Sequence, residues 1–197
     1  SIYPEMHLIT WDFNEKTKSH ILEKYKDSNK GFSTDSIFLL KNNKGKPIHE
    51  FQNSEAVLDL CYAIFGKTIN DGICVEESED SIFYRIKTIA TNGGFNSRWF
   101  SKEKPLSVLV FLPCGISGLP IDMLQETLKT LMIQHNVLPD FEIVYVNSES
   151  NKGKTALEII NDAYSNVKIN KKKGLVILTG GMCKLAVSIE HCDIVLM

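Results

Sequence analysis

The feature that most constrains the fold of this chain is an alternation of apolar runs with amphipathic segments in its second half. Each run is rich in Val, Ile and Leu and predicts a strand, and the segments between the runs have helical periodicity. The four runs are Ser107–Leu112, Phe141–Val146, Gly174–Thr179 and Asp193–Met197. Continuous apolar strands are typical of a parallel sheet that helices cover on both faces. The sequence therefore predicts an α/β fold, with a parallel sheet flanked by helices, for residues 105–197.

Two helices of this half are predicted between the strands, and a shorter helical segment is predicted over residues 181–189. The first runs from Pro120 to about Asn136, because proline is tolerated in a first turn, where its missing N–H would have no partner. The second runs from Lys154 to about Asn166. Apolar stripes mark the faces expected to be buried. They are Met123, Leu124, Thr127, Leu128, Leu131 and Met132 in the first helix, and Ala156, Ile159, Ile160 and Ala163 in the second.

Residues 1–104 are less regular and predict a mostly helical connector or insert, with a domain boundary near residue 105. A strand is predicted at Met6–Trp11. Helices are predicted after Asn14, from Asn53 or Ser54 to Gly66, and from about Ser81 to Ala90. Asn and Ser are favoured caps at helix starts, and glycine can take the left-handed conformation past a helix end. By its composition, the segment Lys41–Pro47 predicts a turn or linker.

The composition of the chain and its two ends limit the classes of protein to which it can belong. The formal net charge of −2 gives no overall attraction to nucleic acid, although local amides and a few bases can still bind phosphates. The 5 cysteines are odd in number and lack a C-x-x-C spacing, which favours reduced thiols and a cytoplasmic location. No apolar run reaches the roughly 20 residues of a membrane helix. Because the chain starts at Ser1 without an initiator methionine and stops at Met197 directly after an apolar run, we expect a fragment of a longer protein.

Motifs of a self-contained active site are incomplete. Two Gly-Lys-Thr triplets, at Gly66 and Gly153, lack the glycine five positions earlier that a phosphate-binding loop requires. Gly153 follows a predicted strand and precedes a helix. A phosphate contact there is therefore an alternative to ordinary turn formation. The histidines show no metal-ligand spacing, and no nucleophilic serine motif occurs. No catalytic residue and no metal site is therefore predicted.

The most informative segment is Thr179–Lys184, where a buried strand is followed by two glycines and a short predicted helix. At the carboxyl edge of a parallel sheet, glycines let the backbone approach an anion, and the amides that follow point at it. The alternative is a glycine turn needed only for backbone shape, and spacing does not separate the two. Gly115 lies in a second glycine loop, predicted at the same edge. Lys168 and Lys171–Lys173 precede the strand at the opposite edge, where a solvated turn is predicted in preference to contact with a phosphate backbone.

This order of elements resembles the second motor lobe of superfamily 2 helicases, nearest to the viral, phage and restriction-enzyme-like branch. Val108–Pro113 resembles the strand of motif IV, and Gly174–Ile189 resembles motif V. The resemblance covers about residues 105–197 and implies a RecA-like fold there, and residues 1–104 resemble the connector that enters this lobe. It also implies that nucleic-acid phosphates are bound by residues of the two glycine loops. These are Thr179, Gly180, Gly181, Lys184 and Gly115.

The same resemblance implies an ATP-dependent helicase or translocase in which ATP and Mg²⁺ act between two lobes of one polypeptide. Its partners would be single-stranded DNA or RNA and the N-terminal motor lobe, and its location the cytoplasm, including the host cytoplasm for a viral protein. Walker motifs would precede Ser1 and motif VI would follow Met197, so this segment alone is expected to bind no cofactor and to hydrolyse no ATP. Relatives often have Gly and Asp late in motif V, where this chain has the candidate nucleotide contacts Ala186 and Ser188.

A second hypothesis is a complete small α/β protein that binds a nucleotide or sugar phosphate at the same edge, through Thr179–Gly181, without a motor partner. Thermal unfolding separates the two hypotheses. A nucleotide at about a hundredfold excess over its Kd would stabilise such a protein by ~2.7 kcal/mol, and a lone motor lobe hardly at all.

Overall fold

The computed structural model describes residues 37–65, 67–68, 75–76, 105–113, 120–147, 153–180 and 192–196. In chain order the elements are β1 (Leu40–Asn43), β2 (Lys46–Phe51), α1 (Ser54–Phe65), β3 (Lys67–Thr68), β4 (Val75–Glu76), β5 (Leu106–Phe111), α2 (Ile121–Gln134), β6 (Phe141–Val146), α3 (Ala156–Ile169), β7 (Gly174–Thr179) and β8 (Ile194–Leu196). The strand predicted at Met6–Trp11, the helices predicted after Asn14 and from Ser81, and the short segment 181–189 lie outside the described residues.

Four strands of the second half form one parallel sheet in the order β6-β7-β5-β8. Strand β7 lies between β6 and β5, and its last residue, Thr179, is in register with Val146 of β6 and Phe111 of β5. All six residues of β7 are buried, as expected for an interior strand that is covered on both faces. The predicted strands and the parallel α/β arrangement are therefore confirmed.

Two hydrophobic cores cover the two faces of this sheet. The larger core joins one face to α1, α2 and the β1–β2 hairpin, and the smaller core joins the opposite face to α3. Successive strand residues point to opposite faces. Accordingly, Val176 and Leu178 of β7 belong to the larger core, whereas Leu175 and Ile177 belong to the smaller one. The sheet is thus the middle of three layers.

Helix α2 differs from its prediction at three positions. Pro120 is the N-cap rather than a first-turn residue, because its φ of −68° and ψ of 122° are extended and its carbonyl accepts from Leu124 N at 3.1 Å. Met123 is only partly buried, and Gln125 is buried although no apolar stripe includes it.

Helix α3 continues to Ile169, beyond its predicted end. Within the described ranges, no helix has both the length and the apolar character needed to cross a membrane.

The segment Lys41–Pro47, predicted as a turn or linker, contributes to the antiparallel hairpin of β1 and β2. Only Lys44 and Gly45 form the turn, and both have positive φ, 51° and 83°. Tight two-residue hairpin turns need this backbone, and glycine adopts it without steric cost. The strands were missed because they are polar and only Leu40 and Phe51 at their ends are buried. The described part of the first half therefore contains strands as well as a helix, and the mostly helical connector stays a prediction for residues 1–104.

Helix α1 confirms the second helix predicted in the first half. The carbonyl of Asn53 accepts from Val57 N at 3.2 Å, so Asn53 occupies the N-cap position. Val57, Cys61 and Phe65 are buried in the larger core, which also contains residues of the parallel sheet. The boundary near residue 105 stays a prediction, although this core extends to both sides of it.

Candidate functional site

The carboxyl edge of the parallel sheet is the place where the predicted site residues would meet. Strand β7 ends at Thr179, Gly180 follows it, and both residues are buried. Leu112 N donates to Thr179 O at 2.7 Å, which ties the end of β7 to the residue after β5. The two chain segments that leave these neighbouring strands therefore begin side by side.

The side chain of Thr179 is engaged within the chain. The residue is 1% exposed, and its hydroxyl donates to the carbonyl oxygen of Gly180 at 3.2 Å. For this hydroxyl to donate to a ligand, the side chain would have to rotate away from the Gly180 carbonyl. The other predicted contacts lie outside the described residues, namely Gly115, Gly181 and Lys184 for nucleic acid and Ala186 and Ser188 for a nucleotide.

A buried amide network, which the sequence pattern did not reveal, lies at this edge. Gln125 of α2 is 0% exposed, and its Nε2 donates to the main-chain oxygens of Val146 and Leu178, each at 3.1 Å. Its Oε1 accepts from Asn147 Nδ2 at 2.7 Å. These bonds join α2 to the carboxyl ends of β6 and β7. In the sequence, the only sign of this network is a glutamine next to the apolar positions of a helix. Periodicity alone assigns no function to such a residue.

The Gly-Lys-Thr triplet at Gly153 forms the start of α3. Thr155 is the N-cap, its Oγ1 accepts from Glu158 N at 3.2 Å, and Glu158 Oε2 accepts from Thr155 N at 2.7 Å. Lys154 Nζ pairs with Asp162 Oδ2 at 2.7 Å. The Glu158 carboxylate therefore occupies the helix N-terminus, where a bound phosphate would otherwise accept from the free amides. This geometry favours turn formation over a phosphate contact.

Replacing Thr155 with alanine should lower the free energy of unfolding by about 1 kcal/mol, because an N-cap side chain is lost. The pKa of Glu158 lies below its usual range, mainly because its carboxylate accepts the main-chain N–H and then the hydroxyl of Thr155. A carboxyl with a lowered folded pKa stabilises the fold above its unfolded pKa, and this contribution is lost as the pH falls through the folded pKa. In urea unfolding, the difference between wild type and variant should therefore shrink from about pH 7 to about pH 3.

Ser165→Ala is the control for this prediction. Ser165 is exposed on the same helix, and its hydroxyl donates to the carbonyl of Asn161 at 2.9 Å, away from the cap. Its replacement should change the free energy of unfolding by less than about 0.5 kcal/mol at either pH. A Thr155→Ala effect that is the same at both pH values would contradict the bond assigned between the Thr155 hydroxyl and the Glu158 carboxylate.

The lysine run lies at the amino edge of the sheet, opposite Thr179, as predicted. Lys173 Nζ pairs with Asp140 Oδ2 at 2.6 Å, and Lys172 pairs with Glu142 at the start of β6. Lys168 lies over the ring of an aromatic residue of its own helix, with its Nζ 4.6 Å from the ring centre. Since Lys168, Lys172 and Lys173 have partners within the fold, the geometry favours a structural role for these three over nucleic-acid binding.

Free thiols of the described residues are not activated. Burial raises the pKa of Cys61 to about 12. The pKa of Cys192 is also raised, first by burial and then by the charge of the adjacent Asp193. The thiolate is the nucleophilic and metal-binding form, so both cysteines are in the less reactive state at neutral pH. Within the described ranges, no group of three His, Cys, Asp or Glu side chains is placed to hold a metal ion.

No protein-family model, curated protein or solved structure matches this chain significantly. A functional assignment therefore depends on the geometry of the carboxyl edge and on the resemblance carried by the strands and glycine loops of the sequence.

Proposed function

We propose that this chain contains the second motor lobe of an ATP-dependent helicase or translocase, with a RecA-like sheet whose carboxyl edge binds the phosphate backbone of single-stranded DNA or RNA. The observation that supports the proposal is the position of β7, an interior strand of an all-parallel sheet that ends beside β5. Ligands of open α/β sheets bind outside the carboxyl ends of the strands. The resemblance of Gly174–Ile189 to motif V assigns the same edge to nucleic acid.

The chemistry available at this edge suits a phosphate backbone. Main-chain N–H groups beyond Gly180 are donors that carry no sequence information, so contacts made by them would hold any nucleotide sequence equally. In the whole protein, ATP and Mg²⁺ bound between this lobe and the N-terminal lobe would open and close the cleft. The part played by the described residues is to hold the main chain of β7 in place while the strand of nucleic acid is bound.

Fluorescence anisotropy with labelled oligothymidylate and oligouridylate tests the proposal. Both oligonucleotides should bind, and log K should fall linearly with log salt, with a slope of about −0.7 per phosphate contacted. Lys184→Ala should weaken binding of both oligonucleotides, and the salt slope should become shallower by the value of about one phosphate contact. Lys171→Ala is the matched control, because it removes the same charge from the loop at the amino edge of β7 and should leave binding unchanged.

Two results would contradict the motor-lobe proposal. Equal losses for Lys184→Ala and Lys171→Ala would mean that general charge attraction, and not the carboxyl edge, accounts for binding. Stabilisation by a mononucleotide or sugar phosphate alone, by ~2.7 kcal/mol at about a hundredfold excess over Kd and without oligonucleotide binding, would support the complete small α/β protein instead.

A further inference from the structure

We infer that Gln125 is a positioning residue for the carboxyl edge: its buried amide fixes the main chain at the ends of β6 and β7, up to the edge that is proposed to bind a phosphate backbone. This inference rests on the proposed function, because it concerns the same edge. The observation that supports it is that the fully buried side chain of Gln125 bonds to the ends of two strands that are far apart in sequence.

The hydrogen-bonding capacity of Gln125 is used at both ends of its amide. A glutamine side chain has two N–H donors, and these serve the carbonyl oxygens of Val146 and Leu178. Carbonyl oxygens only accept, so the orientation of the amide is determined, and its Oε1 is left to accept from Asn147. An apolar residue of similar size would pack at this position, but it would bind neither carbonyl. Fully paired buried networks of this kind specify one arrangement of the chain.

The bonds of Gln125 continue into the proposed site. The peptide that links Leu178 to Thr179 is held at its carbonyl by Gln125, and the next peptide, from Thr179 to Gly180, is held at its carbonyl by Leu112 N at 2.7 Å. Two successive peptides are therefore fixed before the chain leaves the sheet. The amides proposed to bind phosphate follow Gly180 in the sequence, and a fixed main chain at the start of a binding segment lowers the entropy lost on binding.

Gln125→Met tests the inference, since methionine keeps the length of the side chain and removes its hydrogen bonds. Binding of oligothymidylate by the folded variant should be about tenfold weaker, because a loosened support misplaces the binding groups. Thr127→Val is the matched control. Thr127 is the other buried polar residue of α2, but its hydroxyl bonds only within the helix, to Met123 O at 2.7 Å, and binding should be unchanged.

Hydrogen exchange separates positioning from a general loss of stability. In Gln125→Met, the amides of Asn147, Thr179 and Gly180 should exchange faster, while the amide of Val176 in the middle of β7 should stay as slow as in wild type. If the role of Gln125 were only structural, all amides of β7 would exchange faster and the folded molecules would bind with unchanged affinity. That combination would overturn the inference.

The remaining outcomes are distinguishable. If wild type binds oligonucleotide and Gln125→Met binds equally well, the inference is wrong and the proposed function stands. If wild type binds neither oligonucleotide, the proposed function fails and the inference fails with it. If Gln125→Met does not fold, Asn147→Ala takes its place, because it removes the amide that donates to Gln125 Oε1. It should then weaken binding by a smaller factor, and unchanged binding would overturn the inference.

Discussion

Replacing Phe51 with alanine should lower the free energy of unfolding by about 3–5 kcal/mol, for the parallel sheet as well as for the hairpin. Phe51 ends β2 and is 1% exposed, and its ring meets that of Phe38 edge-on with the centroids 6.2 Å apart. It belongs to the same core as Val108 and Val176 of the sheet. Truncation removes the buried ring and leaves a cavity that the neighbouring side chains fill only in part.

Urea unfolding combined with hydrogen exchange at β7 measures this effect. Ile133→Ala is the control: Ile133 lies on α2 and is 58% exposed, so its replacement should change stability by less than about 0.5 kcal/mol. The same experiment examines the boundary predicted near residue 105. If β7 amides keep their wild-type protection in Phe51→Ala while the hairpin opens, the first half has a core of its own and the shared core is wrong.

Replacing Gly174 with alanine should destabilise the protein by about 3 kcal/mol or more, because overpacking at a buried backbone contact cannot be relieved by a side-chain rotation. Gly174 begins β7 and is in register with Leu106 of β5 and Phe141 of β6. A Cβ at this position would overlap the main-chain oxygen of Leu106 and would lie 2.7 Å from Cδ1 of Phe141. The aromatic ring can shift, but the Leu106 carbonyl is part of the sheet and cannot.

Gly153→Ala is the matched glycine replacement for that experiment. Gly153 has a φ of 83°, but no atom lies within 4 Å of the position that its Cβ would take. Its replacement should cost about 1 kcal/mol, from backbone strain alone. Thermal or urea unfolding of the two variants should therefore differ by about 2 kcal/mol. Equal effects would mean that the close approach of β5, β6 and β7 at Gly174 is wrong.

The elements that sequence could predict are those whose burial leaves a local pattern. Strand β7 is buried at every residue, so its apolar run stood out, and the order of strands and helices then implied parallel strands. The hairpin left no such pattern, because β1 and β2 bury only the residues at their ends. The composition of Lys41–Pro47 indicated a turn or linker, but the strands that this segment joins are polar and owe their position to the core beneath Phe51.

The candidate site also has one part that the sequence predicts and one part that it does not. The place of Thr179 and Gly180 at the carboxyl edge followed from strand direction, since all parallel strands end at one edge. The part played by Gln125 did not follow, because its partners Val146 and Leu178 lie 21 and 53 residues away along the chain. Periodicity places Gln125 on a helix beside a buried face, but it says nothing of which carbonyl oxygens that helix will meet.

By itself, the sequence determined the four strands and the two longer helices of the second half and most of their buried positions, because hydrophobic periodicity is a local property of the chain. Only the tertiary structure decided the strand order β6-β7-β5-β8, the packing of the hairpin on α2, and the bonds from Gln125 to the two strand ends. These depend on contacts between residues that are distant in sequence. Several strand orders bury the same apolar runs equally well, so the choice among them comes from how the side chains of the assembled layers fit together.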